Sequence, residues 1–548
     1  RETFFVDKWD PAVPDDEVST QIIAANIVNN KAVLGYATWL ASLNLDGAGF
    51  VMGHSDSGVD TDHVDFESRV KGPSATSSGA SHGTHTMSTI LGTPIAGTKD
   101  GDGFLYGQGV APKAEGYAVP LGASDARSQE MSQNGAIGSS NSWNSGSAGA
   151  DYGTEERQQD LYVLDADSTT AGAQRFAQIF SAGNAGASGL TEPHSAKNIV
   201  SVCASENGRT GNINNKASFS SVGNAQDGRV KPEVCAVGAD VYSAQSGSTN
   251  GYVTMSGTSM SCPHVAGSTL LVFQWHKREY GTAPSPAMNK AMLVNGAMNM
   301  VGGNAADIPN TYEGWGRVNM NDTFAKSRGV MMTHLDDKEL ATGQEFTLSA
   351  SAADPLLPLK ITIAWDDQPG ASGANPALVN DLDLVVESGA GTYNGNNFAT
   401  SWSVTGGQPS TIDNLENVFI QNPSGAYTIK VKGANVPTGP QKFALVVFNS
   451  GAPSGNVKLD TPKGGEMWKG GDSVNVAWTS SGPLQANSVA LSFSKDGGTT
   501  WEPPFAQGQP LNGTLQWTVP QVDTTTGMLR AMAKDSGGGD VEARSGAF

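Results

Sequence analysis

The chain has 548 residues, 68 of them glycine; only 16% are charged, and the formal net charge is -20. That balance excludes a basic nucleic-acid-binding surface, a coiled coil and a disordered chain, and it suits a loop-rich secreted hydrolase. No apolar run is long enough to cross a membrane, and the length asks for several domains, three in our reading.

In chain order, Arg1 to Phe5 lacks the basic region and apolar core of a signal peptide, so a processed or trimmed product is expected. Residues 1–25 read as a propeptide remnant or an extra strand. Residues 26–330 alternate strand-like and helix-like apolar runs, the pattern of a parallel sheet covered by helices. Gly49 to Ser55 reads as a buried strand ending at Asp56, and Ser81-His82 opens a helix whose apolar face is Met87, Ile90 and Leu91. Tyr117 to Val119, Ala177 to Ser181 and Ile199 to Val202 are further strands. The Gly- and Ser-rich stretches Ala123 to Gly149 and Ser205 to Gly228 read as surface loops. Val265 to Trp275 reads as a buried helix with Pro263 in its first turn, which puts Ser259 at a helix N-terminus.

Residues 331–451 turn β-rich: Lys360 to Trp365, Leu382 to Val386, Val418 to Ile420, Tyr427 to Val431 and Phe443 to Phe448 are short strands between turn signals. The linker Ser450 to Gly455 leads into a second β-rich segment, residues 452–548, with strands at Val474 to Trp478 and Val489 to Phe493. Trp478 and Trp501 read as core aromatics ahead of a carbohydrate platform. Of three cysteines, Cys203 and Cys235 lie in apolar strand-like runs; two buried thiols are expected, with a bridge between them left open. Cys262 lies just after Ser259, which already occupies the nucleophile's position, so Cys262 is not expected to attack.

A serine hydroxyl needs a base, and the base needs a partner that fixes its tautomer. Asp56-Ser57-Gly58, His82-Gly83-Thr84-His85 and Gly257-Thr258-Ser259-Met260, in that order, resemble the three motifs of the subtilisin-like serine proteases. Gly109 to Pro112, Asn141-Ser142-Trp143, Ser181 to Asn184 and Gly314 to Asn319 also match, so the likeness spans residues 26–325. The resemblance implies Asp56, His82 and Ser259 as the catalytic triad and Asn184 as an oxyanion donor. It implies that Ser142, Trp143, Asn144 and Gly183 bind an extended protein or peptide substrate, with a side-chain pocket lined by 143–145 and 182–184. A secreted, broad-specificity, monomeric endopeptidase without an organic cofactor is expected, binding no nucleic acid.

Val379 to Leu384 and Glu416 to Ile420 resemble the jelly-roll domain of some bacterial alkaline members of that family, a relative of the kexin P domain. The last segment reads as a small fibronectin-like or immunoglobulin-like sandwich. The jelly-roll likeness implies structural calcium at Asp381, Asp383, Asp413, Asn414 and Glu416; Asp100-Gly101-Asp102-Gly103 reads as a plain turn. Two rival functions stand beside this one. His54, Asp56, His63, His82 and His85 crowd one region, a composition that suits metal ligands in a hydrolase, but no His-Glu-x-x-His motif is present. A binding protein using the fold as scaffold is the other.

Overall fold

The computed structural model describes residues 17–78, 80–146, 148–149, 151–209, 211–301, 307–451, 456–481, 484–534 and 540–548. Strands β1 (Val51–Asp56), β2 (Val70–Lys71), β3 (Glu115–Pro120), β4 (Ala136–Asn141), β5 (Ala177–Ser181), β6 (Val200–Ser205) and β7 (Val234–Val237) form one all-parallel sheet. Its spatial order is β2-β3-β1-β4-β5-β6-β7. The chain leaves β1 toward one side and returns to it on the other, so β1 sits at the switch point, where open parallel sheets leave a crevice at their carboxyl ends.

Helices α1 (Val18–Ile23), α2 (Tyr36–Leu43), α3 (Ser81–Leu91), α4 (Asp125–Gln133), α5 (Thr154–Leu164), α6 (Thr258–Tyr280) and α7 (Pro286–Gly296) surround the sheet. Ala118 joins the core formed with α3 and α6, while its neighbour Val119 joins the cluster under Met131 of α4. Successive strand residues face opposite ways, so the sheet is covered on both faces. In α1, Val18 and Ile22 are buried with Val237, Val241 and Met260, so the packed unit begins before residue 26. The expected N-terminal extension otherwise falls on residues 1–16, outside the described residues.

Two expectations need correction. Ala123 to Gly149 is not a plain loop but contains α4 and β4, the immediate neighbour of β1. Its polarity concealed it: Ser139 donates to Gln178 at 2.7 Å, and Asn141 to Gln178 at 3.0 Å, so these side chains satisfy one another inside the sheet. Cys203 and Cys235 are not two thiols. They lie opposite each other in the β6–β7 register, 4.4 Å apart at Cα, and are joined as a disulfide.

The second segment folds as two antiparallel sheets around one core. One sheet has four strands, in the order Met332–Leu340, Gln441–Phe448, Leu359–Ala364 and Leu415–Ile420. The other has six, including Asp381–Ser388 and Ala426–Asn435. The last segment forms a three-stranded and a four-stranded sheet around Trp478, Leu491, Phe493 and Trp517. Trp478 is buried there, whereas Trp501 is half-buried, with the Arg530 and Arg544 guanidinium groups 4.5 and 5.4 Å from its ring.

Helix α7 docks the first unit on the four-stranded sheet, and the α3–α6 core runs on without a break into Ala364, Leu415, Phe419, Ala444 and Val446. Polar groups bridge the same boundary. The fully buried Lys197 ammonium lies 2.9 Å from Asp367 and 3.7 Å from Asp160, and donates to the carbonyls of Gln368 and Ala377. Asn198 exchanges hydrogen bonds with the Asp367 backbone at 2.8 and 2.9 Å. Replacing Lys197 with Met leaves two buried carboxylates without their cation, an effect of about 3 to 5 kcal/mol. Lys197→Met is expected to lower the thermal midpoint and to open the boundary near residue 330 to limited proteolysis; an unchanged melting curve would show that the ion pair does not hold the two units.

Candidate active site

Three strand ends meet in the crevice. Asp56 is the last residue of β1, Ser142 follows β4, and Ala182-Gly183-Asn184 follows β5. Helix α3 delivers His82 and helix α6 delivers Ser259, each within its first turn.

The start of α3 presses against the turn after β1. A Cβ on Gly83 would lie 2.2 Å from the Gly58 carbonyl oxygen, so only glycine lets the helix come this close. Gly83 N–H donates to Ser57 Oγ, and Asp60 N–H donates to Thr84 Oγ1, fixing the contact from both sides. Consequently His82 Nδ1 sits 2.8 Å from Asp56 Oδ1 and 3.0 Å from Oδ2. The Asp56 side chain is 1% exposed and that of His82 is 39% exposed. Ser57 N–H adds a bond to Asp56 Oδ1 at 2.6 Å.

Burial opposes charge on both partners, but their mutual interaction wins. The Asp56 carboxyl is lowered below its ordinary value by the His82 hydrogen bond and nearby imidazoles, and His82 is raised above its own by Asp56. The remaining histidines behave oppositely. His54, His85, His194 and His264 are pushed by burial down to about 4, His334 to about 3, and His63 and His276 are also lowered.

Helix α6 begins at Thr258, earlier than the sequence implied, so Pro263 stands in the second turn. A proline there cannot donate to the Ser259 carbonyl four residues back. Ser142 Oγ donates to that carbonyl instead, at 3.0 Å, tying the end of β4 to the helix start. Ser259 Oγ lies 3.4 Å from the Ser142 carbonyl.

Asn184 is exposed at its loop, yet its amide is oriented. Thr258 N–H and Thr258 Oγ1 both donate to Asn184 Oδ1 at 2.9 Å, so Nδ2 is the end turned away. A Cβ on Gly257 would lie 3.4 Å from Asn184 Nδ2 and 3.6 Å from Ser259 N, so the two donors flank one space that glycine leaves open. Gly183, at φ +100°, donates its N–H to Thr258 Oγ1.

The residues expected to bind substrate divide. Asn144 is exposed, and Ser142 and Gly183 are buried against α6. The Trp143 ring is also buried, edge-on to Phe180, and its carbonyl accepts from His194 at 2.9 Å, so the indole is a core group. Cys262 is a buried thiol raised to about 11 by burial.

The proposed metal-hydrolase histidines are not grouped as ligands. His63 faces Tyr252 and Gly251, and His85 reaches the Val241 carbonyl. Among the described residues no three His, Cys, Asp or Glu side chains form a ready metal site. Asp413 Oδ1 accepts from Val230 N–H and its Oδ2 from Asn396 and Ser410; Asn414 donates to Asn198 and Trp365. Each of these two thus makes one hydrogen bond across the unit boundary, while Asp413 also lies near enough to Glu416 to act on its charge. Asp381 Oδ1, Asp383 Oδ1 and Glu416 Oε1 are different: each is buried with no hydrogen-bond partner. Asp100 is a turn residue accepting from Asp102 and Phe104 N–H, with Arg209 paired to it.

A parallel sheet with an aspartate, a histidine and a serine brought to adjoining strand ends defines a subtilisin-like α/β protein. The subtilase family model matches residues 47–316. Subtilisin BL of Lederbergia lenta is 34% identical over 239 residues, 42% of this chain and 78% of that enzyme. The serine protease/ABC transporter B family protein tagB of Dictyostelium discoideum is 28% identical over 308 residues, 43% of this chain but 16% of that protein. The match thus spans about a sixth of that relative's length. Among solved structures, sphericase aligns at 24% identity with a TM-score of 0.40, covering 51% of this chain and 96% of that one. The chain belongs to the subtilase family.

Of the eight histidines, His82 alone is raised. An NMR titration of 15N-labelled histidine is expected to show one imidazole titrating above about 6.5 and seven below it. The charged His82 favours the folded state below pH 6.5, and that contribution fades as pH rises through its folded value; the seven imidazoles held neutral cost stability as pH falls from about 6.5 toward 4. Two titrations above 6.5 would contradict this arrangement.

Proposed function

We propose that the chain is a secreted serine endopeptidase that hydrolyses peptide bonds of proteins through an acyl-enzyme. The observations that carry the reading are the Asp56–His82 hydrogen bond at the end of β1 and the two donors, Asn184 Nδ2 and Ser259 N, that flank one open space at the start of α6.

Each group has one task. Asp56 holds Nδ1 of His82, which leaves Nε2 as the ring nitrogen for proton exchange. His82 takes the Ser259 proton as the hydroxyl oxygen attacks the scissile carbonyl, and Asp56 stabilises the imidazolium. The carbonyl oxygen becomes negative as the tetrahedral intermediate forms. Asn184 Nδ2 and Ser259 N–H then bind it more strongly than they bind the ground state, with the α6 N-terminus behind them. His82 returns the proton to the leaving amine, and water repeats the sequence on the acyl-enzyme.

Specificity is read as broad, because an extended substrate pairs through its backbone beside Ser142 and Asn144. The disulfide supports an oxidising, extracellular setting. The domains we assign are residues 26–330, catalytic; 331–451, jelly-roll; and 452–548, fibronectin-like or immunoglobulin-like, and the chain acts as a monomer.

The test is reaction with an irreversible serine-directed inhibitor followed by mass mapping. Label is expected on Ser259, and Ser259→Ala is expected to lose both label and caseinolysis while melting as the parent does. Label on Cys262, or persistent cleavage by the alanine variant, would remove Ser259 from this role. On the acid side, kcat/KM is expected to fall with a midpoint above the ordinary histidine value, because a protonated His82 cannot accept the serine proton.

We further propose structural calcium in the second domain: Asp381, Asp383 and Glu416 do not stand together as a ready site, and the cation would gather their unpartnered oxygens with backbone or water oxygens. Burial raises Glu416 well above the ordinary carboxyl range, and its three acidic neighbours add to this. Burial and the Asp383 charge push Asp381 up to about 6. A divalent cation neutralises such oxygens and supplies the partners they lack. Asp413, itself one of the acidic neighbours of Glu416, and Asn414 already carry hydrogen bonds and are the less available members of the expected ligand set. Excess EGTA is expected to lower the melting temperature and calcium to restore it; unchanged melting together with no calcium by elemental analysis would end this assignment.

A further inference from the structure

Behind Asp56 lies a second histidine that the mechanism does not use. His54 and Asp56 are alternate residues of β1, so their side chains share one face, and both are 1% exposed. His54 Nε2 is 2.9 Å from Thr86 Oγ1 and 3.8 Å from Asp56 Oδ2, and Thr86 Oγ1 is 3.3 Å from the same Oδ2. Thr86 lies one turn after His82 on α3, so the carboxylate is held between two histidines, one at the crevice and one behind it.

We propose that His54 is a positioning residue that, with Thr86, presents a directed chain of hydrogen bonds to the rear of Asp56 and thereby sets how tightly Asp56 grips the His82 ring. The proposal rests on the protease reading for its consequence, and on the geometry for its existence.

The proton positions follow from what each atom can do. His54 Nδ1 is buried with no partner. A proton there would be an orphaned buried N–H, and the Nε2 lone pair would then face the Asp56 carboxylate. Placing the proton on Nε2 removes both costs, because an unpaired acceptor is tolerated better than an unpaired donor. Nε2–H then points at Thr86 Oγ1. The Thr86 hydroxyl has one proton and three acceptors in reach: the His82 carbonyl at 3.1 Å, the Gly83 carbonyl at 3.2 Å and Asp56 Oδ2 at 3.3 Å. The ionised carboxylate is the strongest acceptor of the three, and a hydroxyl already accepting from His54 donates more strongly.

Burial keeps His54 neutral until about pH 4, so across the working range it acts as a dipole and not a charge. Of the other titratable groups nearby, Cys262 on α6 acts on Asp56, His85 on α3 acts on His82, and His264 on α6 acts on His85. All three are neutral there: burial lowers the two imidazoles to about 4 and raises the thiol to about 11. A shift in His82 on changing His54 therefore reports the relay.

The experiment compares the full chain with His54→Leu, His54→Gln and Thr86→Val. The His82 titration is followed by 15N-histidine NMR, which needs no turnover, and the acid limb of kcat/KM is followed on casein-derived peptides. Leu removes the N–H behind Thr86, so the Thr86 hydroxyl donates less strongly to Asp56 and more of the carboxylate's charge acts on His82; both midpoints are expected to rise, by up to about half a unit to one unit. Gln returns an N–H near the Nε2 position and is expected to restore the parent midpoint. Should His54→Leu fail to fold, Thr86→Val, which keeps the shape and removes the hydroxyl, is expected to give the same rise. A lower melting temperature with an unmoved His82 midpoint, in whichever of the two variants folds, would reduce His54 to packing and overturn the proposal. A shifted NMR midpoint in a chain that cleaves nothing would instead sink the protease reading and leave the relay intact.

Discussion

The close approach of helix α3 to the turn after β1 is the constraint on which the site depends. Gly83 lies against the Gly58 carbonyl, with room for no side chain, and this sets His82 at hydrogen-bond distance from Asp56. Were the helix even an ångström further out, the buried Asp56 would keep only its bonds from Ser57 and lose the imidazole, and burial would oppose its charge without that interaction to offset it. The charge state of the pair is thus a packing result before it is a chemical one.

Helix α6 meets the same crevice by a different device. Pro263 cannot supply the helical hydrogen bond to Ser259, and the freed carbonyl is taken by Ser142 at the end of β4. Thr258 meanwhile orients the Asn184 amide. One irregularity and one threonine therefore bind β4, β5 and the start of α6 into a single rigid corner. Positioning of this kind, on strand ends and helix starts rather than on free loops, is what preorganised electrostatics requires.

The interior of the first unit is polar where most parallel sheets are apolar. Ser139, Asn141, Gln178 and Gln159 form a continuous network between β4, β5 and α5, and Lys197, Asp160 and Asp367 carry buried charge across the boundary to the second unit. Such groups are tolerable only when their partners are in place, which makes the two units mutually dependent: the hydrophobic core beneath α7 is shared, and the ion pair above it is satisfied only in the docked state.

The sequence by itself was enough to single out Asp56, His82, Ser259 and Asn184 as candidates, because each stands in a short motif whose strand end or helix start is written in neighbouring residues. Alternating apolar runs likewise marked most of the parallel sheet and the β-rich character of everything after residue 330. What it did not reveal shares one physical cause, dependence on partners distant in the chain. β4 read as a loop because its serines and asparagine are satisfied by residues nearly forty positions on. Cys203 and Cys235 became a disulfide only through the β6–β7 register. Asp413 and Asn414 resembled Asp381, Asp383 and Glu416 in type, but the docking of the two units occupied the first pair and left oxygens of the other three without hydrogen-bond partners. His54 was visible as one histidine among several, and only the folding of α3 against β1 put Thr86 between it and Asp56.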